Sequence, residues 1–379
     1  MQFDAQQDSA AAPNWLNDRF LQEVIRKAKT DGTISLYHSC KVRPGGRDGV
    51  QHASNLFRTT VHYRSKREPR EQAIDLIMKI DRGMRSDAQF ATEIRMYKEV
   101  LPAMEQVLRD VGETMDVPKY FFSTSDPRNL IVMEDLFPSG WVQKRELHSF
   151  DDAKLCIEAI SKFHATAYAL DKKSKLVSSI SRGNVDIQKM VSAIDSLIES
   201  LCTRPGCSQI GSKLRSLKPQ FQAKLKQIFS PANRDHFVCI LNHGDINVSN
   251  LWYKSHPDSK VAMIDFQNCH WGTPAIDLLG LLDLVLDRKL RRSQSDRLIR
   301  EYHQRLTDSL ARLGYRGAPF SLQELVKELR SCVVLELLHL AMRIQRKGDS
   351  HVDDNRIDRG ADDELQQDLS ELMRRGILD

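Results

Sequence analysis

The sequence contains no apolar stretch long enough to cross a membrane. A transmembrane helix needs about 20 consecutive apolar residues, whereas the longest apolar runs, Ile276–Leu286 and Val333–Leu340, are much shorter and include charged residues. The first residues also lack the basic and apolar regions of a secretory signal peptide. We therefore expect a soluble cytoplasmic protein without a membrane-spanning segment.

Paired cysteines and a strong charge excess are also missing. The seven cysteines are scattered, with no Cys-x-x-Cys pair and no histidine cluster beside them, which argues against a zinc site and favours free thiols in a reducing compartment. The net charge of +5 is the small difference between 56 basic and 51 acidic residues. This excess does not indicate a nucleic-acid-binding protein, and it is compatible with an anionic small-molecule cosubstrate. No obligate protein partner is evident.

The chain of 379 residues, 41% of them hydrophobic, is long enough for one large core or two modest ones. Before residue 136 the apolar residues mostly alternate with polar ones, as in β-strands, although a helix is predicted over Asp87–Asp110 with a break near Pro102. The predicted strands of this part are Thr33–Val42, Asn55–Tyr63, Gln72–Ile80, Val117–Ser123 and Leu130–Asp135.

After residue 149 the apolar residues recur at helical spacing, apart from a β island over Phe237–Phe266. The predicted helices are Asp151–Leu170, Val185–Cys202, Ser212–Phe229, Ala275–Asp287, Ser293–Leu313 and Leu322–Arg346. Strands followed by helices predict an α+β fold in two lobes. We expect a leader and helix over residues 1–32, a small β-rich N-lobe over 33–136 and a larger, mainly helical C-lobe over 137–379.

Two motifs carry the residue types of a phosphoryl-transfer site. The first is His243-Gly-Asp245-Ile-Asn-Val-Ser-Asn250, and the second ends an apolar run with Asp265-Phe-Gln. A protein-kinase-type site needs an Asp that accepts a hydroxyl proton, and an Asn and a second Asp that hold magnesium on a nucleotide. We therefore predict Asp245 as the catalytic base and Asn250 and Asp265 as magnesium ligands. His243 is interpreted as structural.

The predicted N-lobe offers residues for the nucleotide phosphates. Lys79 ends a β-rich apolar run and is predicted to pair with the α- and β-phosphates, while Glu93 in the following helix is predicted to hold it. There is no Gly-x-Gly-x-x-Gly loop. The nearest candidate for a phosphate loop runs from Gly49 to Ser54, where small residues would let backbone N–H groups approach phosphate oxygens. The alternative is a ligand-free hairpin turn at the preceding Gly-Gly pair.

The segment between the two predicted lobes is a candidate for adenine binding. Glu134 and Leu136 are predicted to offer backbone N–H and C=O groups to the edge of the base, and the alternative is a plain linker. Further along the chain, Asp277 is interpreted as structural, either capping the following helix or bracing the catalytic loop.

Several motifs accompany these residues. They include Met133-Glu134-Asp-Leu136, Phe163-His164-Ala165, Asn250-Leu-Trp252 and Ile264-Asp265-Phe-Gln267. Together they resemble the ecdysteroid kinase-like family, also described as CHK kinase-like, from about residue 35 to about residue 345. This resemblance implies a bilobal protein-kinase-like fold related to those of choline kinases and aminoglycoside phosphotransferases. It also implies ATP and Mg²⁺ as cofactors and phosphorylation of a small-molecule hydroxyl, with ecdysteroids as the known type of substrate.

The sequence departs from protein kinases at three places. Gln267 stands where those enzymes have glycine, Gly244 stands where they have arginine, and no Ala-Pro-Glu segment follows Asp265. These departures argue against a protein substrate and against regulation by phosphorylation of an activation loop.

The leading hypothesis is an ATP-dependent kinase that acts on a hydroxyl of an ecdysteroid or a similar sterol-like or xenobiotic compound. A choline- or aminoglycoside-type kinase is one alternative, and its cationic acceptor would meet acidic residues of the C-terminal helices, namely Asp277, Asp283, Asp287 and Glu336. A nucleotide-binding module without catalysis is the other alternative. The presence of all five predicted residues argues against it, namely Lys79, Glu93, Asp245, Asn250 and Asp265. The apolar residues of the same helices form either core or the wall of a sterol-sized pocket.

Overall fold

The computed structural model describes residues 12–39, 42–44, 54–81, 87–180, 185–204, 206–229, 238–255, 259–349 and 359–377. The strands are β1 Ser35–Ser39, β2 Arg43–Pro44, β3 Ser54–Arg64, β4 Gln72–Asp81, β5 Tyr120–Thr124, β6 Leu130–Glu134, β7 Val142–Gln143, β8 Ile240–Asn242, β9 Leu251–Lys254, β10 Lys260–Met263 and β11 His270–Gly272. Two short 3₁₀ turns lie at Phe137–Ser139 and Phe266–Asn268.

The helices are α1 Asp18–Lys29, α2 Asp87–Arg95, α3 Leu101–Arg109, α4 Phe150–Ser174, α5 Ile187–Thr203, α6 Ser208–Ser216, α7 Lys218–Phe229, α8 Ala275–Leu284, α9 Arg288–Arg312, α10 Leu322–Ser331, α11 Val334–Asp349 and α12 Arg359–Arg374. A π-helical turn, Met96–Val100, joins α2 to α3. This mixture confirms the α+β class. Among the described residues, no helix is both long enough and apolar enough to cross a bilayer.

Contacts divide the chain into two compact units. The first unit comprises residues 1–102, 116–143 and 252–267, and the second comprises 103–115, 144–251 and 268–379. The predicted division differs from these units mainly in three segments, because 103–115 belongs to the second unit, 1–32 belongs to the first, and so does 252–267. Pairing explains the last of these, since β9 and β10 form a three-stranded sheet with β7.

The main sheet of the first unit has the strand order β1-β3-β4-β6-β5, with β2 paired to β3. Leu76, Met78 and Ile80 on the central strand β4 share a core cluster with residues of α1, which include Leu21 and Val24. Successive side chains of a strand point to opposite faces. The side chain of residue 79 therefore leaves the sheet on the face away from this core cluster.

Helix α2 continues into α3 without the break predicted near Pro102. The backbone N–H of Leu101 donates to the carbonyl of Met96, five residues back, so the chain makes a π turn just before the proline. This changed hydrogen-bond pattern accommodates a residue that has no N–H to donate. Sequence periodicity cannot distinguish a π turn from a break.

Two helices predicted in the second unit are divided. Residues 322–346 form α10 and α11, which are separated at Cys332 and Val333, and residues 212–229 belong to α6 and α7, where Pro219 is the second residue of α7. Buried residues continue at three- and four-residue steps across Cys332, so the periodicity of the apolar residues did not indicate the first of these boundaries.

Candidate active site

Lys79 lies on the central strand of the first unit and contacts two carboxylates. Its ammonium donates to both oxygens of Glu93, at 2.7 and 2.6 Å, and to Oδ1 of Asp265 at 2.6 Å. Lys79 is 5% exposed and Glu93 is fully buried. Removal of one partner from a buried ion pair leaves the other charge uncompensated and typically costs about 3–5 kcal/mol. The contacts therefore fix the position of the ammonium within the first unit.

Asp265 adopts an unusual backbone conformation with a φ of 68°. A residue other than glycine rarely occupies this left-handed region, and strain of this kind concentrates at functional sites. Two neighbours help to hold the segment. Gln267 Nε2 donates to Asp265 Oδ2 at 3.3 Å, and the Phe266 ring packs edge-on against Tyr97 in the π turn, with centroids 5.5 Å apart.

The oxygens around Lys79 fit a divalent cation. Two carboxylates face one ammonium, so the cluster has a formal charge of −1, and the Asp265 side chain is its more accessible carboxylate at 21% exposure. Gln267 Oε1 is buried and has no hydrogen-bond partner among the described residues. Carboxylate and amide oxygens are the ligands that magnesium prefers, usually as one or two protein groups together with substrate phosphates.

The predicted phosphate loop is only partly described by the structure. Gly49 lies outside the described residues. Ser54 is the first residue of β3 and pairs with Asp81 on β4. The phosphate-binding roles of both residues stay predictions.

The segment predicted to bind adenine already uses some of its backbone groups. The N–H of Glu134 donates to the carbonyl of Lys119 at 2.9 Å, and the carbonyl of Leu136 accepts the N–H groups of Ser139 and Trp141. The Leu136 side chain is buried with Trp141 in a small core cluster. An adenine edge could therefore use only the other two groups, the carbonyl of Glu134 and the N–H of Leu136.

The loop that carries Asp245 follows β8 in the second unit, where β8 pairs antiparallel with β11. Asp245 is half-buried, and its carboxylate accepts hydrogen bonds from Asn247 Nδ2 at 2.8 Å and from Asn268 Nδ2 at 3.3 Å. One amide thus reaches each carboxylate oxygen. The carboxylate is therefore oriented by two neutral donors, and its other lone pairs remain available to accept a hydrogen bond from a hydroxyl.

The loop requires a glycine at position 244, next to Asp245. Its φ is 79°, and a Cβ atom at this position would lie 2.2 Å from the carbonyl oxygen of Asn268. A side chain would thus meet backbone that cannot move without displacing the amide on Asp245. This close approach is the physical reason for the glycine that separates the sequence from protein kinases.

Asn250 closes the same loop. Its Nδ2 donates to the backbone carbonyl of Asp245 at 2.9 Å, and its N–H donates to the carbonyl of Asn247 at 3.1 Å. Because the NH₂ group faces a carbonyl, the side-chain oxygen Oδ1 points the other way. Asn250 thus presents an oxygen of the kind that a magnesium ligand requires.

Asp277, on the buried helix α8, holds the base of this loop. Its carboxylate accepts the N–H of His243 at 2.7 Å, the N–H of Gly244 at 2.8 Å and His164 Nε2 at 3.0 Å. Complete burial acts to raise the pKa of Asp277, but the hydrogen bond and charge of His164 and the donors of the loop outweigh it and lower the pKa. Asp277 therefore stays ionised. Of the two roles considered from the sequence, the contacts support bracing the loop.

A tyrosine from α9 completes this support. The Tyr302 hydroxyl lies 2.8 Å from His164 Nδ1, and burial together with the negative charge of Asp277 raises the pKa of Tyr302 well above its usual value. Tyr302 therefore keeps its proton, and its hydroxyl group contacts one ring nitrogen of His164 while the other ring nitrogen contacts Asp277.

The structure brings the predicted residues together in two groups. Lys79, Glu93 and Asp265 meet in the first unit, and Asp245 and Asn250 meet in the second. The sequence reasoning missed the contacts of Asn247, Asn268 and Tyr302. Asn247 lies inside the motif and Asn268 directly follows Gln267, so position alone could have suggested these two. Tyr302 is 138 positions from His164 and no local signal points to it.

Comparison with known proteins identifies relatives of the chain. The model of the ecdysteroid kinase-like family matches residues 48–315, which are 268 of the 379 residues. An uncharacterised kinase-like protein of Caenorhabditis elegans is 27% identical over 146 residues. That match covers 37% of this chain and 36% of the nematode protein, so the chain spans about a third of the length of this relative.

Two solved structures are similar in part. A choline/ethanolamine kinase family protein from Mesorhizobium loti has a TM-score of 0.45 and 13% identity, with 94% of each chain covered. An ethanolamine kinase from Plasmodium vivax has a TM-score of 0.42 and 11% identity, with 90% of this chain and 84% of that chain covered. At TM-scores below 0.5 these likenesses do not identify a function for the chain.

Proposed function

This chain belongs to the ecdysteroid kinase-like family, and we propose that it is an ATP-dependent kinase that transfers the γ-phosphate to a hydroxyl of a small molecule. The acceptor that we propose is an ecdysteroid or a similar sterol-like or xenobiotic compound. The observation that carries the proposal is the buried contact of Lys79 with Glu93 and Asp265. Phosphoryl transfer needs a positioned cation and a carboxylate that holds the metal, and we propose Lys79 and Asp265 for these two roles.

The residues of the first unit would bind the nucleotide phosphates. Glu93 keeps the Lys79 ammonium in place, where it neutralises phosphate oxygens. Asp265, with Gln267 beside it, and Asn250 are the proposed ligands of Mg²⁺, which supplies charge neutralisation at the phosphates when it is bound. The donor types support this assignment, because all three offer hard oxygen atoms.

Asp245 is the proposed catalytic base. Its carboxylate, oriented by Asn247 and Asn268, would orient the acceptor hydroxyl and take its proton as the new P–O bond forms. The bond from the γ-phosphorus to the bridging oxygen breaks in the same displacement, and ADP leaves. The backbone contacts of Asp277 would keep the loop in the geometry that this step needs.

An Asp245→Asn variant tests the role of the base. We expect nearly unchanged binding of ATP, but a fall of about 10²-fold or more in transfer to the acceptor. Isothermal titration measures the first quantity, and mass spectrometry of the phosphorylated acceptor measures the second. Asp110→Asn, at the exposed residue that follows α3, is the matched control and should transfer normally. Near-normal turnover by Asp245→Asn would show that another group is the base.

A panel of acceptors tests the substrate class. Purified protein, ATP and magnesium are incubated separately with an ecdysteroid, choline and an aminoglycoside, and each product is searched for added phosphate. Phosphate on the ecdysteroid alone supports the proposal. Phosphate on choline or the aminoglycoside would replace it with the cationic-acceptor alternative, and an absence of product from every acceptor, with ATP still bound, would favour the non-catalytic module.

A further inference from the structure

A cavity of about 710 Å³ lies within the second unit. Helices α8, α9, α10 and α12 contribute to its walls, and no residue proposed above for phosphoryl transfer is among the described residues that line it. Its apolar wall consists mainly of Leu279, Leu282, Ile299, Val326, Leu329 and Val333. This volume lies within the range of about 300–1,000 Å³ that small-molecule sites usually have.

The cavity lies on the side of α8 away from the catalytic loop. Gly280 faces that loop, since a Cβ atom there would lie 3.1 Å from the carbonyl oxygen of Ile246. Leu279 precedes Gly280 by one residue and Leu282 follows it by two, which at 3.6 residues per turn places their shared face about 130° around the helix from Gly280. A ligand in the cavity would therefore be distinct from the phosphate acceptor.

Two of the arginines that line the cavity are already paired. Arg292 bonds Glu371 at 3.2 Å, and Arg375 bonds Glu336 at 2.8 Å and Glu371 at 2.6 Å. Burial and the negative charge of Asp283 raise the pKa of Glu336 to about 7 despite the contact with Arg375. Two of the three carboxylates that line the cavity are therefore committed to these two guanidinium groups. The third is Asp296, so five arginines face three carboxylates and the lining keeps an excess of positive charge.

Three other arginines of the lining are not committed in this way. Arg300, Arg330 and Arg374 come from α9, α10 and α12, and all three are exposed. Within the described ranges, none of them makes an ion pair or a side-chain hydrogen bond. Guanidinium groups bind carboxylate, sulfate and phosphate through paired N–H donors, so these three side chains offer positive charge beside an apolar wall.

We propose that this cavity binds an amphipathic anion, whose apolar body lies against α8 and α10 and whose carboxylate, sulfate or phosphate group contacts Arg300, Arg330 and Arg374. The proposal does not depend on the proposed kinase function, because none of its residues belongs to the phosphoryl-transfer groups. The contrast between three uncommitted guanidinium groups and a wall of leucine, isoleucine and valine selects this class of ligand over a cation or a fully polar molecule.

Fluorescence titration with 1-anilinonaphthalene-8-sulfonate tests the proposal, since this probe combines an apolar ring system with one sulfonate. The full chain should bind the probe equally well with and without saturating ADP. The triple variant Arg300→Gln/Arg330→Gln/Arg374→Gln should bind it about tenfold more weakly. The control is a triple variant of exposed arginines elsewhere, Arg19→Gln/Arg109→Gln/Arg316→Gln, which removes the same net charge and should retain the affinity.

A second variant distinguishes binding of the probe in the cavity from its attraction to charged side chains on the surface. Val326→Trp fills the apolar wall and keeps every arginine, so it should also reduce binding of the probe, and thermal melting verifies that it is folded. Three results would each overturn the proposal. They are an equal loss of affinity in the control triple variant, unchanged affinity in Val326→Trp, and displacement of the probe by ADP.

Discussion

Replacement of Asp277 by asparagine removes one hydrogen-bond acceptor from the base of the catalytic loop. In the native protein the carboxylate accepts His243 N–H, Gly244 N–H and His164 Nε2. An asparagine side chain has one oxygen, so its NH₂ group must face at least one of these donors. The variant therefore loses a bond to a charged acceptor and leaves a buried donor unsatisfied.

The expected loss of stability follows from these two effects. A hydrogen bond to a charged group contributes about 1.5–3 kcal/mol, and an orphaned buried donor costs about 1–3 kcal/mol more. We therefore expect a total loss of about 2.5–6 kcal/mol. Because the lowered pKa keeps Asp277 ionised, its contribution is present above the ordinary Asp pKa and is lost only as the pH falls through the lowered value. The loss is therefore fully expressed at pH 7.

Thermal and urea unfolding at pH 7 measure this loss. In a domain of 150–250 residues about 1 kcal/mol shifts Tm by roughly 2–4 °C, so a loss of about 3 kcal/mol corresponds to roughly 6–12 °C. Asp308→Asn, on the exposed face of α9, is the matched control and should melt normally. Transfer should also fall more than ATP affinity. If Asp277→Asn melted within a degree or so of the native protein, the carboxylate would not support the loop and our reasoning would be refuted.

Two further predictions concern other carboxyl and amide groups. Gln267→Glu places a second carboxylate beside Asp265, so the magnesium concentration needed for ATP binding should fall by about tenfold. Titration of magnesium against ATP affinity measures this change, and Gln106→Glu is the control. An unchanged magnesium requirement would remove Gln267 from the metal site. Glu336 holds its proton up to about pH 7, against a usual pKa of 4.5, so the native protein should lose stability as the pH rises from 5 to 8, by at most about 3 kcal/mol. Glu336→Gln, which mimics the protonated form, should not show that loss in urea unfolding, and identical pH dependence of the two proteins would contradict the assignment.

Local spacing in the sequence was enough to identify most of the candidate residues. Asp245 and Asn250 lie on one loop, and that loop alone brings the Asn250 amide to the carbonyl of Asp245. The α+β class likewise followed from residue periodicity, because buried faces repeat every two residues in strands and every three to four in helices. Element boundaries were less accessible, since apolar residues continue in phase across Cys332.

Contacts between distant segments were decided by the tertiary structure. Lys79 and Asp265 are 186 positions apart, and their 2.6 Å contact depends on how residues 252–267 join the first unit. Tyr302 and His164 lie on different helices, so their contact, through which Tyr302 supports the loop, also depends on the packing of distant segments. A sequence determines which groups can form hydrogen bonds and which segments form helices or strands. Packing of the whole chain determines which of those groups meet, because a hydrogen bond forms only when donor and acceptor lie within about 3 Å of each other.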